Sequence, residues 1–299
     1  MSNSPSQRKL VTVGVLAIQG AFSEHLNQVS HLSLQPPYSH SVELSAKLVK
    51  RPEDLSQCQV LILPGGESTV IAMGCRRVGL FEPLREWVRS GKPVWGTCAG
   101  MILLSNQATG GKKGGQELIG GVDIRVNRNG YGAQIFSFET NLSMPCLEQV
   151  GDHRPFPGVF IRAPVVERLL HSKLEPSSSS STFSATTESG TSTPIEKVTS
   201  YGGDGAAEKE EEGLIISYAD PQPPTESDQS AKRPPLEVLA TLQDDLDLPQ
   251  QSTPPTTTDS RIVALKQGNI MVTSFHPELT SDRRILSYFI EKVALPAIL

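Results

Sequence analysis

Several residue types that mark common protein classes are scarce in this sequence. It has four cysteines in 299 residues, at positions 58, 75, 98 and 146, and none of them belongs to a CxxC pair. This spacing argues against a disulfide scaffold and against a zinc site. Free thiols are typical of a reducing compartment, so the sequence predicts a cytoplasmic location.

Basic clusters and long apolar runs are also missing. The net charge is −5 and lysine and arginine are dispersed, so neither nucleic acid nor a membrane is a predicted partner. No apolar stretch is long enough to span a bilayer, and the polar residues 1–9 do not resemble a signal peptide. The glycine-rich stretch 110–115 lacks the phosphate-loop spacing, and we expect no cofactor and no metal.

The first hundred residues alternate between buried strands and amphipathic helices. Apolar runs at 11–18 and 60–63 are typical of strands buried on both faces, and 47–50 is a shorter candidate. Helices are predicted from Phe22 to Val29 and from Phe81 to Arg89. This order predicts an α/β fold of three layers, with a mostly parallel central sheet flanked by helices. Ligands of such sheets bind at the carboxyl ends of the strands.

The second half is richer in strands and contains two polar insertions. Predicted strands are 122–126, 135–138, 158–162, 236–242, 262–265 and 270–273, followed by a helix over about 282–293. The insertions, at about 172–235 and 244–259, are rich in Ser, Thr, Pro and Glu, so we expect them to be disordered apart from a short strand at 213–218. We therefore expect a flexible tail at 1–9 and one domain over 10–299.

One short motif places a cysteine where a nucleophile is expected. In Gly96-Thr97-Cys98-Ala99-Gly100, a predicted strand ends and a predicted helix begins. Hydrolases place a nucleophile on such a turn, and the flanking glycines allow the tight backbone. A helix N-terminus favours the thiolate, so Cys98 is the candidate nucleophile.

A second motif supplies the partners that a nucleophilic cysteine needs. Proline keeps His276-Pro277-Glu278 out of a regular helix, so His276 and Glu278 point to the same side. The imidazole then takes the thiol proton and the carboxylate orients the ring. The loop Pro64-Gly65-Gly66-Glu67-Ser68 follows a strand, and its Gly66 N–H together with the Ala99 N–H predicts an oxyanion hole.

These motifs resemble those of class I, triad-type glutamine amidotransferases, which have a flavodoxin-like fold. Four longer segments resemble the glutaminase subunit of pyridoxal 5′-phosphate synthase: 13–25, 63–69, 128–132 and 159–164. The resemblance implies that Cys98 attacks the side-chain amide of L-glutamine and forms a γ-glutamyl thioester that water hydrolyses. It also implies a set of glutamine-binding residues: Gly66, Glu67, Ser68, Arg128, Ile161 and Arg162. A guanidinium suits either the substrate carboxylate or a supporting acid.

The resemblance further implies a partner. Ammonia passes in that family to a separate synthase subunit that makes pyridoxal 5′-phosphate, and docking near the Gln19-Gly20 turn organises the oxyanion loop. Two features depart from the family pattern: Ala133 stands where arginine is common, and the insertions are long. They bear on docking more than on chemistry.

Two other functions stay open at this stage. The triad does not name the acceptor of the ammonia, so a glutamine amidotransferase or γ-glutamyl hydrolase of another pathway is the first alternative. The second is a non-catalytic regulatory scaffold that uses the Ser/Thr-rich insertion for docking, although an intact triad argues against it. The remaining cysteines and histidines, His25 among them, are predicted to be packing or surface residues.

Overall fold

The computed structural model describes residues 8–111, 115–128, 137–170, 207–211, 214–219, 233–243 and 258–299. Its strands are β1 (Lys9–Leu16), β2 (Val42–Val49), β3 (Val60–Leu63), β4 (Val94–Thr97), β5 (Ser105–Thr109), β6 (Val122–Asn127), β7 (Ser137–Leu142), β8 (Phe156–Ile161), β9 (Val165–Leu169), β10 (Ala207–Glu211), β11 (Leu214–Tyr218), β12 (Leu236–Thr241), β13 (Ile262–Gln267) and β14 (Ile270–Thr273). Its α-helices are α1 (Phe22–Ser30), α2 (Tyr38–Ser41), α3 (Pro52–Leu55), α4 (Ser68–Arg77), α5 (Phe81–Arg89), α6 (Ala99–Leu104), α7 (Arg284–Tyr288) and α8 (Leu295–Ile298).

A seven-stranded sheet forms the centre of the fold, in the order β12-β13-β14-β4-β3-β1-β2. The five strands from β14 to β2 are parallel, and β12 and β13 join the β14 edge in antiparallel pairs. The mostly parallel sheet with flanking helices confirms the predicted fold class. Within the described ranges, every helix is too short or too polar to cross a bilayer.

Alternate side chains of the central strands pack into two separate hydrophobic cores, one on each face of the sheet. In β3, Val60 and Ile62 pack into one core, while Leu61 and Leu63 pack into the core on the opposite face. All four side chains are almost fully buried. This explains why the strand reads as an uninterrupted apolar run, because both of its faces are covered by helices or strands.

Two smaller sheets hold the remaining seven described strands. One has five strands in the order β10-β11-β5-β6-β9, and the other pairs β7 with β8. Strands β5 and β9 were not predicted from the sequence. The sequence of β5, Ser-Asn-Gln-Ala-Thr, has almost no apolar pattern. Of the predicted strand at 135–138, the first two residues lie outside the described ones, and Ser137 and Phe138 belong to β7.

Within the first insertion the predicted strand at 213–218 is confirmed as β11, and β10 is a strand that was not predicted. Residues 207–211 and 214–218 form an antiparallel pair, and β11 also pairs with β5. Ile216, Ser217, Tyr218 and Ala219 are buried, so this segment is bound to the domain. Tertiary burial thus outweighs the polar composition around it. The final predicted helix also differs, because a π-helical stretch, Phe289–Ala294, separates α7 from α8.

Candidate active site

Cys98 stands on the sharp turn between β4 and α6. Its φ is 45°, a left-handed conformation that non-glycine residues rarely adopt. The flanking glycines are required by close packing: a Cβ on Gly100 would lie 2.2 Å from the Leu63 carbonyl oxygen, and one on Gly96 would lie 2.6 Å from the Gly100 carbonyl. The glycines therefore let the turn pack against β3 while it presents Cys98 at the carboxyl end of the sheet.

His276 and Glu278 reach the same place from the end of β14. The Nδ1 atom of His276 lies 2.7 Å from Oε1 of Glu278, and both side chains are buried. A Cβ on Gly65 would lie 2.4 Å from Cε1 of His276 and 3.3 Å from Cβ of Cys98, which puts both the imidazole and the cysteine next to this glycine. The structure thus brings the three residues together with the glycine loop.

The electrostatics favour a charged imidazole and a charged carboxylate. Burial disfavours the imidazolium, but hydrogen bonds with Cys98 and Glu278 outweigh it and raise the pKa of His276. Burial likewise opposes ionisation of Glu278, but His25 and His276 hold its pKa below the usual range. An imidazolium held between a cysteine and a carboxylate is the arrangement of a cysteine nucleophile with its base and orienting group.

A cleft opens above these residues. It is lined by Gln19, Gly66, Glu67, Ser68, Cys98, Ile102, Arg128, Ile161, Arg162 and His276. The thiol of Cys98 lies 3.9 Å from the Ile161 carbonyl oxygen on the opposite wall. All six residues nominated for glutamine binding therefore face one cleft.

Charged groups concentrate on one wall of the cleft. Nη2 of Arg128 donates to Oε1 of Glu67 at 3.0 Å and to the Thr69 hydroxyl at 2.9 Å. Arg162 is half exposed and its Nη2 lies 3.8 Å from the other oxygen of Glu67. Burial lowers the pKa of Arg128, and its Nε atom is buried with no hydrogen-bond partner among the described residues. The rest of the Arg-Asn motif, including Ala133, lies outside the described residues.

Two glutamines hold the glycine loop from either side. Oε1 of Gln19 accepts a hydrogen bond from the Glu67 N–H at 2.8 Å. Oε1 of Gln116 accepts from the Ser68 hydroxyl at 2.9 Å. The backbone N–H of Gln116 in turn donates to the Ser217 hydroxyl at 3.0 Å, so a strand of the insertion supports the wall of the cleft.

Comparison with known proteins agrees with this architecture. The model of the SNO glutamine amidotransferase family matches residues 15–183 and 241–295. The chain belongs to this family.

Curated relatives of this SNO family chain cover nearly its whole length. It is 36% identical to a probable pyridoxal 5′-phosphate synthase subunit PDX2 of Arabidopsis thaliana, over 94% of this chain and 85% of the relative. It is 33% identical to the pyridoxal 5′-phosphate synthase subunit PdxT of Herpetosiphon aurantiacus, over 94% of this chain and 99% of the relative. A solved glutamine amidotransferase structure aligns with a TM-score of 0.57 at 29% identity, covering 95% of this chain and 99% of that one.

Several residues of this family member contact the candidate site although sequence reasoning did not nominate them. His25 and Gln28 of α1 touch the His-Pro-Glu segment, and Gln116 contacts Ser68. A buried polar side chain on the apolar face of a predicted helix is the signal that would have singled out His25 and Gln28. Gln116 follows a glycine-rich loop and carries no local signal.

Proposed function

We propose that this chain is the glutaminase subunit of a pyridoxal 5′-phosphate synthase. It hydrolyses L-glutamine to L-glutamate and passes the ammonia to a synthase subunit. The observation that carries the proposal is that Cys98 and His276 line one cleft with the glycine loop, while the buried Glu278 contacts His276. Relatives at 31% to 36% identity are named as subunits of that synthase.

In the proposed reaction Cys98 is the nucleophile. Its thiolate attacks the side-chain amide carbon of glutamine, and the carbonyl electrons move onto oxygen. The imidazolium of His276 then gives its proton to the departing nitrogen, which leaves as ammonia, and a γ-glutamyl thioester remains. Water, deprotonated by His276, attacks the thioester and releases glutamate and the thiolate. Glu278 keeps the ring oriented through its contact with Nδ1.

The oxyanion is assigned to two backbone N–H groups, those of Gly66 and Ala99. Ala99 is the first residue of α6, so its N–H points out of the helix end toward the nucleophile. Gly66 directly precedes Glu67 and Ser68, which Gln19 and Gln116 anchor. Donors fixed in advance stabilise the tetrahedral intermediate more than donors that must reorganise.

Substrate recognition is assigned to the charged wall. Arg128 has an Nε atom that no described residue partners, and Arg162 lies on the same wall with its Nη2 3.8 Å from Glu67. Glutamine carries one carboxylate and one ammonium group at its α-carbon. A wall with two guanidinium groups and one carboxylate is complementary to both. The Ser68 hydroxyl and the Ile161 backbone complete the proposed binding site.

A synthase partner and a cytoplasmic location complete the proposal. Ammonia is wasted if it escapes to solvent, so the proposed subunit hands it directly to the partner that consumes it. The four described cysteines are all free, which supports a reducing compartment.

The test is a coupled assay of glutamine hydrolysis with the synthase subunit present. We expect wild-type chain to release ammonia faster with the partner than alone, and Cys98→Ala to reduce the rate to background. Cys75→Ala is the matched control, because Cys75 is a buried thiol in the core and outside the cleft. Retained activity in Cys98→Ala, or no ammonia from the wild-type complex, contradicts the proposal.

A further inference from the structure

His25 is a fully buried histidine that touches the carboxylate of the candidate triad. It lies on α1, and its Nε2 atom is 3.3 Å from Oε2 of Glu278 and 3.1 Å from the hydroxyl oxygen of Thr97. The edge of its ring packs against Trp95, with ring centroids 5.8 Å apart. Oε2 of Glu278 is buried and makes no hydrogen bond of standard geometry to any described residue. The nitrogen of His25 is therefore the donor placed to serve this oxygen.

The surroundings of His25 decide which ring nitrogen carries the proton. Burial lowers the pKa of His25, although attraction from Glu278 opposes this, so the ring is neutral and has one N–H. Nδ1 is buried and has no partner among the described residues. A proton there would leave a buried donor unsatisfied, which costs more than an unsatisfied acceptor nitrogen on the same ring. The proton therefore belongs on Nε2, between the Thr97 hydroxyl and Glu278.

We propose that His25 is a positioning residue for catalysis, which donates its Nε2–H to the second carboxylate oxygen of Glu278. Oε1 then accepts from His276 and Oε2 from His25, so the carboxylate is held at both ends. This inference rests on the proposed glutaminase function for its kinetic consequences. A carboxylate fixed at both oxygens keeps the His276 ring in the tautomer and orientation that aim its other nitrogen at Cys98.

The helix that carries His25 is itself tied to the same segment. Gln28, one turn later on α1, donates through Nε2 to the carbonyl oxygens of Pro277 and Thr280, both at 3.0 Å. Residues three apart lie on the same helix face, so His25 and Gln28 contact the His-Pro-Glu segment together. The segment cannot shift away from His25 without breaking both contacts of Gln28.

The charged groups around His25 keep its role specific. The groups that act on it are Glu278, His276 and Glu24. If the N–H of His25 is removed, Oε2 of Glu278 loses its donor, so the carboxylate is no longer held at both ends and can turn away from Nδ1 of His276. The thiolate-imidazolium pair is then less stable, so the Cys98 thiolate forms at higher pH. A merely structural loss would lower stability without moving that pH.

Two readouts on three variants test this role. The variants are His25→Leu, which removes the donor, His25→Gln, whose amide N–H restores one at similar reach, and Val29→Ala, a buried packing control on the same helix. The first readout is kcat and KM for glutamine in the complex with the synthase subunit. The second is the pH midpoint for alkylation of Cys98 by iodoacetamide in the full chain, mapped by mass spectrometry, which needs neither glutamine nor the partner.

We expect His25→Leu to lower kcat by about tenfold or more with KM changed less than about twofold, and to raise the alkylation midpoint by roughly one pH unit. His25→Gln should recover most of the wild-type kcat and alkylation midpoint, and Val29→Ala should match wild type in both quantities. The proposal is overturned if His25→Leu keeps wild-type kcat and midpoint, if Gln fails to restore them, or if Val29→Ala loses as much. Should His25→Leu not fold, His25→Met replaces it.

The two readouts separate this inference from the proposed function. A wild-type complex that releases no ammonia, combined with the expected shift in alkylation midpoint, rejects the glutaminase function and leaves the positioning role of His25 standing. A complex that hydrolyses glutamine equally well with histidine, glutamine or leucine at position 25 rejects the positioning role alone.

Discussion

The four cysteines show how far one residue type can be changed by its surroundings. Cys58, Cys75 and Cys146 pack among apolar side chains, and burial raises their pKa values to about 11, 12 and 11. Cys98 is also buried, but it opens onto the cleft and shares a hydrogen bond with a charged imidazole. Only the thiolate is nucleophilic, so these environments separate one reactive thiol from three inert ones.

Selective alkylation measures this difference. At pH 8 a thiol with a pKa near 11 is ionised in about one molecule in a thousand, so Cys58, Cys75 and Cys146 should react slowly with iodoacetamide in the native protein. Cys98 should react at least about a hundred times faster. Peptide mapping after timed exposure gives the four rates, and the same treatment in urea, where all four should react alike, is the control. Equal native rates would contradict the assignment.

The two arginines of the cleft differ in burial, and we expect unequal effects when they are changed. Arg128 is largely buried and contacts Glu67 and Thr69, whereas Arg162 is half exposed and 3.8 Å from Glu67. Lysine keeps the charge but loses the planar fork. Arg128→Lys should raise the KM for glutamine by about tenfold with less change in kcat, and Arg162→Lys by no more than about threefold. Steady-state kinetics of the complex decide; a larger effect at Arg162 would contradict this ranking.

Residues with local signals were predictable from the sequence, and those without were not. Cys98, His276 and Gly66 sit in short motifs whose spacing follows from backbone geometry, and the structure brings them to one cleft. His25 and Gln116 reach the site only through tertiary packing. A histidine on an apolar helix face looks the same in sequence whether it fills a core or contacts a carboxylate.

At the scale of elements, α1 links the two halves of the candidate site. Its leading turn packs on the glycine loop, where the Ala21 N–H donates to the Gly65 carbonyl oxygen at 3.0 Å. Its middle contacts Glu278 and Pro277 through His25 and Gln28. The helix therefore fixes the distance between the proposed oxyanion donors and the triad acid, and a small displacement at its start should reach both.

A substitution at Gly20 is expected to displace the start of α1. It has φ +103°, and a Cβ there would lie 1.8 Å from the Gly65 carbonyl oxygen. Gly20→Ala should lower kcat of the complex by about tenfold or more, because the glycine loop must move. Gly79→Ala is the matched control: its φ is +73° and nothing lies within 4 Å of the added Cβ. That variant should lose about 1 kcal/mol of stability from backbone strain and keep its kcat. Equal kcat values for the two variants would show that the close contact between Gly20 and the Gly65 carbonyl oxygen does not affect catalysis.

Elements were predictable where burial is two-sided and became uncertain where the chain is polar. The runs that form β1 and β3 are apolar throughout because both faces are covered. By contrast, the sequences of β5 and β10 are polar, and these segments form strands because they pair with β11. The pairing of β11 with β5 joins residues more than a hundred positions apart, which no local pattern contains.

At the scale of the whole molecule, the first insertion is partly integrated into the domain. Ser217 pairs with Ala108 in the second sheet, and its hydroxyl accepts from the Gln116 N–H, while Gln116 holds the Ser68 hydroxyl. Two successive contacts, from Ser217 to Gln116 and from Gln116 to Ser68, thus lead from the insertion to the loop that we assign to glutamine binding. Composition separates the insertion from the domain, but contacts do not.

Two nested deletions separate the integrated part from the rest. Removing 177–205 leaves β10 and β11 in place, so the kinetics of the complex should stay within about twofold of wild type. Removing 177–229 also removes Ser217, which leaves Gln116 without its backbone acceptor, and KM for glutamine should rise roughly threefold or more. Ser217→Ala checks the cause, because it removes the hydroxyl and keeps the strand, and it should reproduce part of the rise. If the longer deletion keeps the wild-type KM, the insertion strand does not support the cleft, and the contact from Gln116 to Ser68 suffices alone.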